Sequence, residues 1–285
     1  MTPSAKREAI RIMNVEHGLS IVCACQVARL SRAAFYKPVI EGSARDAEVI
    51  AAMQAIVAIE QRWGFWKCYD RLRAQGFAWN HKRVWRVYCQ LRLNLPRRTK
   101  RRVPQRVRQP LLVEPRMNAV WAIDFMRDTL YSGRVFRTLN VLDEANRGAL
   151  GIDIAVSIPA ARVVIFLEQM IDLHGRPDAI RCDNGPELTS QAFTEWCKTH
   201  DVELRFIQPG KPDQNAYIER FNRSYRTEVL NAHLFESLAE LRAVTDRWLR
   251  VYNEERPHDS LGRVPPLTFL PRPSSAGQSP IELSA

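Results

Sequence analysis

One sixteen-residue run divides this chain before any periodicity is considered. Leu95-Pro-Arg-Arg-Thr-Lys-Arg-Arg-Val-Pro-Gln-Arg-Val-Arg-Gln-Pro110 holds three prolines and seven bases in those sixteen positions. Proline offers no amide donor and fixes its own φ, so this run can build neither a helix nor an interior strand. It reads as a linker, and the 285 residues are therefore expected to fold as two parts. The linker is also the centre of a charge asymmetry. The whole chain carries a net charge of +11, while the stretch from Arg71 to Val113 alone holds thirteen Lys or Arg and no acid. Localised positive charge of this kind suits a polyanion whose counterions are released on binding. It equally suits a solvated basic face, and charge alone does not choose.

The remaining composition narrows the classes. Hydrophobic residues make up 46% and charged residues 26%, as in a globular chain and unlike a disordered or fibrous one. No run approaches the roughly 20 uncharged apolar residues of a membrane span. The N-terminus has early charge with no apolar run behind it, so no secretory signal is expected and a cytoplasmic location is the default. Six cysteines without a Cys-x-x-Cys pair do not make a disulfide scaffold.

Residues 1–95 have a helical texture. Helices are expected over 4–16 and 20–28, then from Ser31 as N-cap, over 44–62 as a longer amphipathic helix, and near 68–75 and 81–90. The two short helices around Ser20 and Ser31 resemble a helix-turn-helix. Trp66, Trp85 and Tyr88 stand among Lys82, Arg83 and Arg86. They are either core aromatics beneath surface bases or a DNA-facing helix.

Beyond the linker the texture changes. Strands are expected over 119–125, 135–142 and 149–157, with Ser132-Gly133 turning the first pair. A helix over 160–173 ended by Gly175, a strand over 179–183, a helix over 190–200 and a strand over 203–207 follow. A loop at 208–213, a long helix over 214–231 and another over 238–253 complete the order. Three hairpin-type strands followed by α-β-α-β-α is the element order of a ribonuclease-H-like mixed five-stranded sheet with flanking helices. The fold class is therefore α/β, preceded by an all-α, helix-turn-helix-like region.

Three acids stand out on these elements. Asp124 lies inside an apolar strand between Ile123 and Phe125, Asp183 ends the fourth strand before Asn184-Gly185, and Glu219 lies in the long helix after the Gly/Pro loop. A carboxylate in an apolar strand is costly unless something positive pairs with it. Three converging carboxylates suit a divalent cation with oxygen ligands. Singly, each acid reads more simply as a solvated or capping group. Together, with thirty-five residues between Asp183 and Glu219, they suit the two-ion phosphoryl-transfer arrangement.

The surrounding motifs resemble a known family. They are Trp121-Ala-Ile-Asp124-Phe; Val141-Leu-Asp-Glu-Ala-Asn-Arg147; Arg181-Cys-Asp183-Asn-Gly-Pro-Glu187; Gly210 to Arg226 around Glu219; and Tyr252-Asn-Glu-Glu-Arg-Pro-His258. The chain resembles the second-reading-frame (OrfB) products of bacterial insertion sequences, transposases of the DDE type with a retroviral-integrase-like core. The resemblance implies Asp124, Asp183 and Glu219 as catalytic metal ligands. Two Mg²⁺ ions are implied, with Mn²⁺ as substitute. Asn222, Arg223 and Arg226 follow Glu219 on one helix face and would touch the DNA end, while Asp143 and Glu187 read as structural. Lys82, Arg83, Arg86, Arg97, Arg98, Lys100, Arg101 and Arg102 are expected DNA contacts.

The implied organisation is a helical DNA-binding region over 1–95, a basic linker over 96–112, a catalytic core over 113–272 and a flexible tail over 273–285. The implied activity is cleavage at element ends and joining of the 3′-hydroxyl to target DNA. Implied partners are double-stranded DNA, a companion first-frame subunit or frameshift fusion, and further copies of the chain on DNA. Two alternatives stand beside this reading: a ribonuclease-H-like nuclease without joining activity, and a non-catalytic DNA-binding protein.

Overall fold

Serine and threonine caps set the first helices. In the computed structural model, Thr2, Ser20 and Ser31 accept from Ala5, Cys23 and Ala34 N–H to open α1 (Pro3–Val15), α2 (Ile21–Val27) and α3 (Arg32–Tyr36). The structure describes residues 2–37, 42–95, 114–208 and 212–272. The expected basic linker, with Arg97, Arg98, Lys100, Arg101 and Arg102, and the expected tail over 273–285 lie outside the described residues.

Packing divides the chain into Met1–Ala51 and Ala52–Ala285. In the first unit Ile10, Ala24 and Cys25 form a small core with Met13, Leu30 and Phe35 against it. The chain then runs through α4 (Gly42–Ile59), which buries Val49, Met53 and Ile56 at helical spacing. In the second unit α5 (Phe65–Ala74) and α6 (His81–Gln90) enclose Phe65, which meets Trp85 and Tyr88 edge-on.

The five strands run in the order β3-β2-β1-β4-β5. β1 (Val120–Thr129) pairs antiparallel with β2 (Val135–Asp143) and parallel with β4 (Ala179–Cys182). β2 pairs antiparallel with β3 (Ala149–Ala155), and β4 parallel with β5 (Glu203–Phe206). The predicted ribonuclease-H-like order is therefore present.

Strand alternation sorts two cores. Trp121 and Ile123 face α7 (Ala160–His174) and α8 (Gln191–Thr199), against Leu167, Phe193 and Trp196. Ala122 and Met126 face the other way, toward α9 (Ala216–Tyr225) and α10 (Leu238–Glu254), against Phe221, Tyr225 and Trp248. α7 ends at Gly175 with φ +84°, the left-handed region that favours glycine, as its sequence position suggested. Gly151 lets β3 approach α7 closely: a Cβ there would stand 2.7 Å from Met170 Sδ. A last short helix, α11 (Pro266–Phe269), closes the described chain.

The long helix expected over 214–231 is three pieces. Pro212–Asn215 is a 3₁₀ turn, α9 follows, and Arg226–Leu230 is a π turn. Glu219 consequently sits in the first turn of α9, nearer the helix start than the sequence suggested.

Candidate active site

The strand period fixes where Asp124 points. It shares the face of Ala122 and Met126, so its carboxylate projects toward α9. Asn222 on α9 meets it there, donating from Nδ2 to Asp124 Oδ2 at 2.7 Å. Phe125 N–H donates to the other oxygen at 2.8 Å. Opposite Asp124 in the β1–β2 register lies Asn140, fully buried, whose Nδ2 donates to Asn222 Oδ1 at 2.6 Å. Two carboxamides thus hold one carboxylate oxygen from behind.

Asp183 arrives from the neighbouring strand. Ala122 pairs with Arg181 in the parallel β1–β4 register, and continuing that register sets Asp183 beside Asp124. Asp183 turns the chain by accepting from Gly185 N–H at 3.0 Å. Glu219 is exposed on the first turn of α9. The three carboxylates belong to one electrostatic neighbourhood. Burial pushes the proton affinity of Asp124 up to about 6, and the charges of Asp183 and Glu219 act in the same direction, against the pull of the Phe125 and Asn222 hydrogen bonds. Among the described residues, no three carboxylate, His or Cys side chains are drawn together into a finished cage. The donor set is nonetheless oxygen only and mutually repelling, which is chemistry that fits a hard divalent cation.

The supporting residues are ion-paired. Glu187 pairs with Arg137, whose guanidinium lies 4.3 Å from the centroid of the Phe125 ring. Asp143 is fully buried and accepts from Asn118 and Ala145 N–H and from Arg272. Both act within the fold, in keeping with their structural reading.

The residues after Glu219 do not form one uniform stripe. Asn222 is buried and engaged by Asp124 and Asn140. Arg223 is exposed. Arg226 opens the π turn and donates to Asp128 Oδ2 at 2.9 Å and to the Arg127 carbonyl at 3.0 Å. On α6, Lys82 and Arg86 are exposed and Arg83 is half-buried. Of its aromatics, Tyr88 is core, whereas Trp85 is 45% exposed and stacks on Tyr88 from outside. Asn140 was missed from sequence. Its signal was present, a carboxamide directly between the apolar Leu139 and Val141, as Asp124 stands between Ile123 and Phe125 in β1.

Comparison with known proteins agrees with this geometry. A model of an HTH-like domain matches residues 44–101, and models of the integrase core domain match residues 114–212 and 200–266. The HTH-like match thus covers α4 to α6, most of it within the helical region expected over 1–95, while the two short helices around Ser20 and Ser31 lie outside it. The insertion element IS476 protein of Xanthomonas euvesicatoria is 40% identical over 269 residues, which span 94% of this chain and 78% of that protein. The insertion element IS407 protein of Burkholderia multivorans is 37% identical over 261 residues, 90% of this chain and 92% of that one. A transposase for insertion sequence IS629 of Shigella sonnei is 26% identical over 156 residues, 54% of this chain and 52% of the relative.

Proposed function

Since this chain belongs to the integrase-core family of insertion-element, transposase-like proteins, we propose that it is the DDE transposase of its element. It acts in DNA transposition, cleaving the element ends and joining the freed 3′-hydroxyl to target DNA. The observation that carries this reading is the strand register that sets Asp183 beside Asp124, with α9 docked on Asp124 through Asn222 and Glu219 in its first turn; the raised proton affinity of Asp124 accords with it. A chain keeps three repelling acids at one sheet end only if something offsets the cost.

Asp124, Asp183 and Glu219 would hold two Mg²⁺ ions, with Mn²⁺ as substitute. Bound there, the metal would supply the positive charge that activates an attacking hydroxyl and stabilises a leaving oxygen. The chain's own work is positional. Asn222 and Asn140 fix the orientation of the Asp124 carboxylate, and the apolar strand beneath it keeps water from that side. Glu219 stands on a helix start, whose amide dipoles favour its negative charge. Arg223 beyond it, and Arg226 when released from Asp128, lie where a DNA end would pass. Lys82, Arg83 and Arg86 of the HTH-like domain and the five bases of the linker would carry backbone contacts. The domain division at 96–112 belongs to this proposal, as do a companion first-frame subunit or frameshift fusion, assembly of copies on DNA, and a nucleoid-associated, cytoplasmic location. Among the described residues, no helix is long and apolar enough to cross a membrane.

Product analysis tests the reading against a plain nuclease. The purified chain is incubated with a labelled duplex of its element's end, a target plasmid and Mg²⁺. Labelled strand covalently joined to the plasmid is the expected product. Nicked or shortened strands alone would leave the nuclease reading in place.

A further inference from the structure

The motif residues Arg147 and Arg256 lie far apart in sequence, yet both line one cavity of about 310 Å³ beside α9. Lys67 of α5 and Arg220 of α9 line it too, and Asp259 supplies its one lining carboxylate. Burial holds His258, also in the wall, neutral by lowering its proton affinity to about 3. Arg256 is already neutralised by Glu228 at 2.7 Å. Arg147 is not. Its guanidinium lies 3.4 Å from the centroid of the Tyr217 ring, and its buried Nε and Nη1 have no hydrogen-bond partner. Those two atoms have no accessible surface, so what Arg147 offers the cavity is the charge of a guanidinium that makes no ion pair of its own among the described residues, rather than these donors. Stacked on Tyr217, the guanidinium holds that charge at the cavity wall, where a weakly hydrated cation favours phosphate oxygens.

We infer that this cavity seats a backbone phosphate of the DNA, held by Arg147 and Arg220 with Lys67 behind them. The inference rests on the transposase reading for the identity of the polyanion. Helix geometry relates the cavity to the carboxylates. Ala216, Tyr217, Arg220 and Ser224 face the cavity, and at 100° per residue their stripe lies roughly 115° from Glu219 and nearly opposite Asn222. The carboxylates and the cavity therefore flank α9 from two sides, about one helix diameter, ~10 Å, apart. A strand whose reacting bond meets Glu219 crosses α9 and brings a phosphate about three nucleotides away to the cavity, at ~3.4 Å per nucleotide. Lys67 contributes less, since it pairs at 3.5 Å with Glu228, which it shares with Arg256, and burial lowers its proton affinity to about 8. An anion there would restore it.

The test is a cycle between residue and phosphate. Full-length wild type, Arg147→Gln and Arg220→Gln are titrated by fluorescence anisotropy in chelator. The probes are element-end duplexes, each carrying one neutral methylphosphonate among the first six linkages, and one random duplex. In wild type, one linkage about three nucleotides from the end should cost roughly tenfold when neutralised, as expected of a charge-assisted hydrogen bond. In either variant the same substitution should cost less than about twofold. On both duplexes the slope of log affinity against log salt should be shallower by about one for each variant. The random duplex and the absence of turnover separate this from the transposase reading: joining could fail while the slope still changes, and the reverse. Arg220 is exposed, so its variant carries the test if Arg147→Gln does not fold. Variants that melt like wild type yet keep every linkage effect and the full slope would overturn the site. A lowered melting temperature for Arg147→Gln with unchanged DNA binding would do the same, reducing Arg147 to a stack on Tyr217.

Discussion

Asp124 bears a cost that its strand neighbours do not. Its proton affinity rises from the ordinary 3.8 to about 6, so between those values the folded chain binds more protons than the unfolded one. Stability without metal therefore falls as pH rises through that window, by roughly 3 kcal/mol for about two units. Asp124→Asn removes the charge and keeps the shape. The carboxamide chain behind it can reverse to suit, since the Oδ1 of Asn140 is buried without a partner and free to accept. In chelator at pH 7.5 the variant should melt a few degrees above wild type, and below pH 4 the advantage should vanish. Scanning calorimetry at both pH values checks this, and a variant less stable than wild type at pH 7.5 contradicts it. Asp124 was legible in sequence because a charge inside an apolar strand is sustained only by a partner that offsets its burial. Asn222 was grouped with DNA-contacting neighbours because helical spacing gives a direction but not which neighbouring element stands there.

At the scale of elements, one ion cluster ties three of them together. Glu228 of the π turn pairs with Arg256 beyond α10 and, at 3.5 Å, with Lys67 of α5, and it accepts from Trp248 Nε1 at 3.1 Å. Burial works against its charge, but the two cations and the indole hold its proton affinity below the usual glutamate value. Its contribution is accordingly complete above pH ~4.5 and is lost as pH falls below that. Glu228→Gln would leave Arg256 and Lys67 buried beside a neutral group. A loss of about 3–5 kcal/mol is expected, read as a fall of order 10 °C in melting temperature at pH 7 that narrows toward pH 3. No change at pH 7 would contradict it. Asn253 of the same motif adds a ladder-like pair, exchanging hydrogen bonds with Ala149 N–H and C=O at 2.9 and 2.8 Å. The motif 252–258 was visible in sequence, but its work of docking α10 on β3 was not, because Ala149 lies far away in the chain with no local pattern to mark it. The π turn was equally hidden, since a single inserted residue barely disturbs an apolar period.

Across the whole molecule, the contrast between a helical first part and a mixed-sheet second part was readable from proline, charge and strand alternation. The element order pointed to a ribonuclease-H-like five-stranded sheet, and the pairing in the structure supplies its strand order. The packing division at Ala51–Ala52 was not readable, because α5 is bound to the core by side-chain pairs such as Arg263 with Asp70 rather than by composition. The concentration of bases has a measurable consequence. Replacing Arg97, Arg98, Lys100, Arg101 and Arg102 together with Gln should flatten the slope of log affinity against log salt by up to about 4.5, at roughly 0.9 per lost phosphate contact. An unchanged slope would make that run a solvated linker. The central claim is that Asp124, Asp183 and Glu219 act as one metal-holding set, and the most direct measurement is strand transfer by the three isosteric variants. Asp124→Asn, Asp183→Asn and Glu219→Gln, each purified and assayed with Mg²⁺ on the element's end duplex, should each lose at least about a thousandfold in joining while binding the duplex as wild type does. Joining within about tenfold of wild type by any one of them would contradict the account.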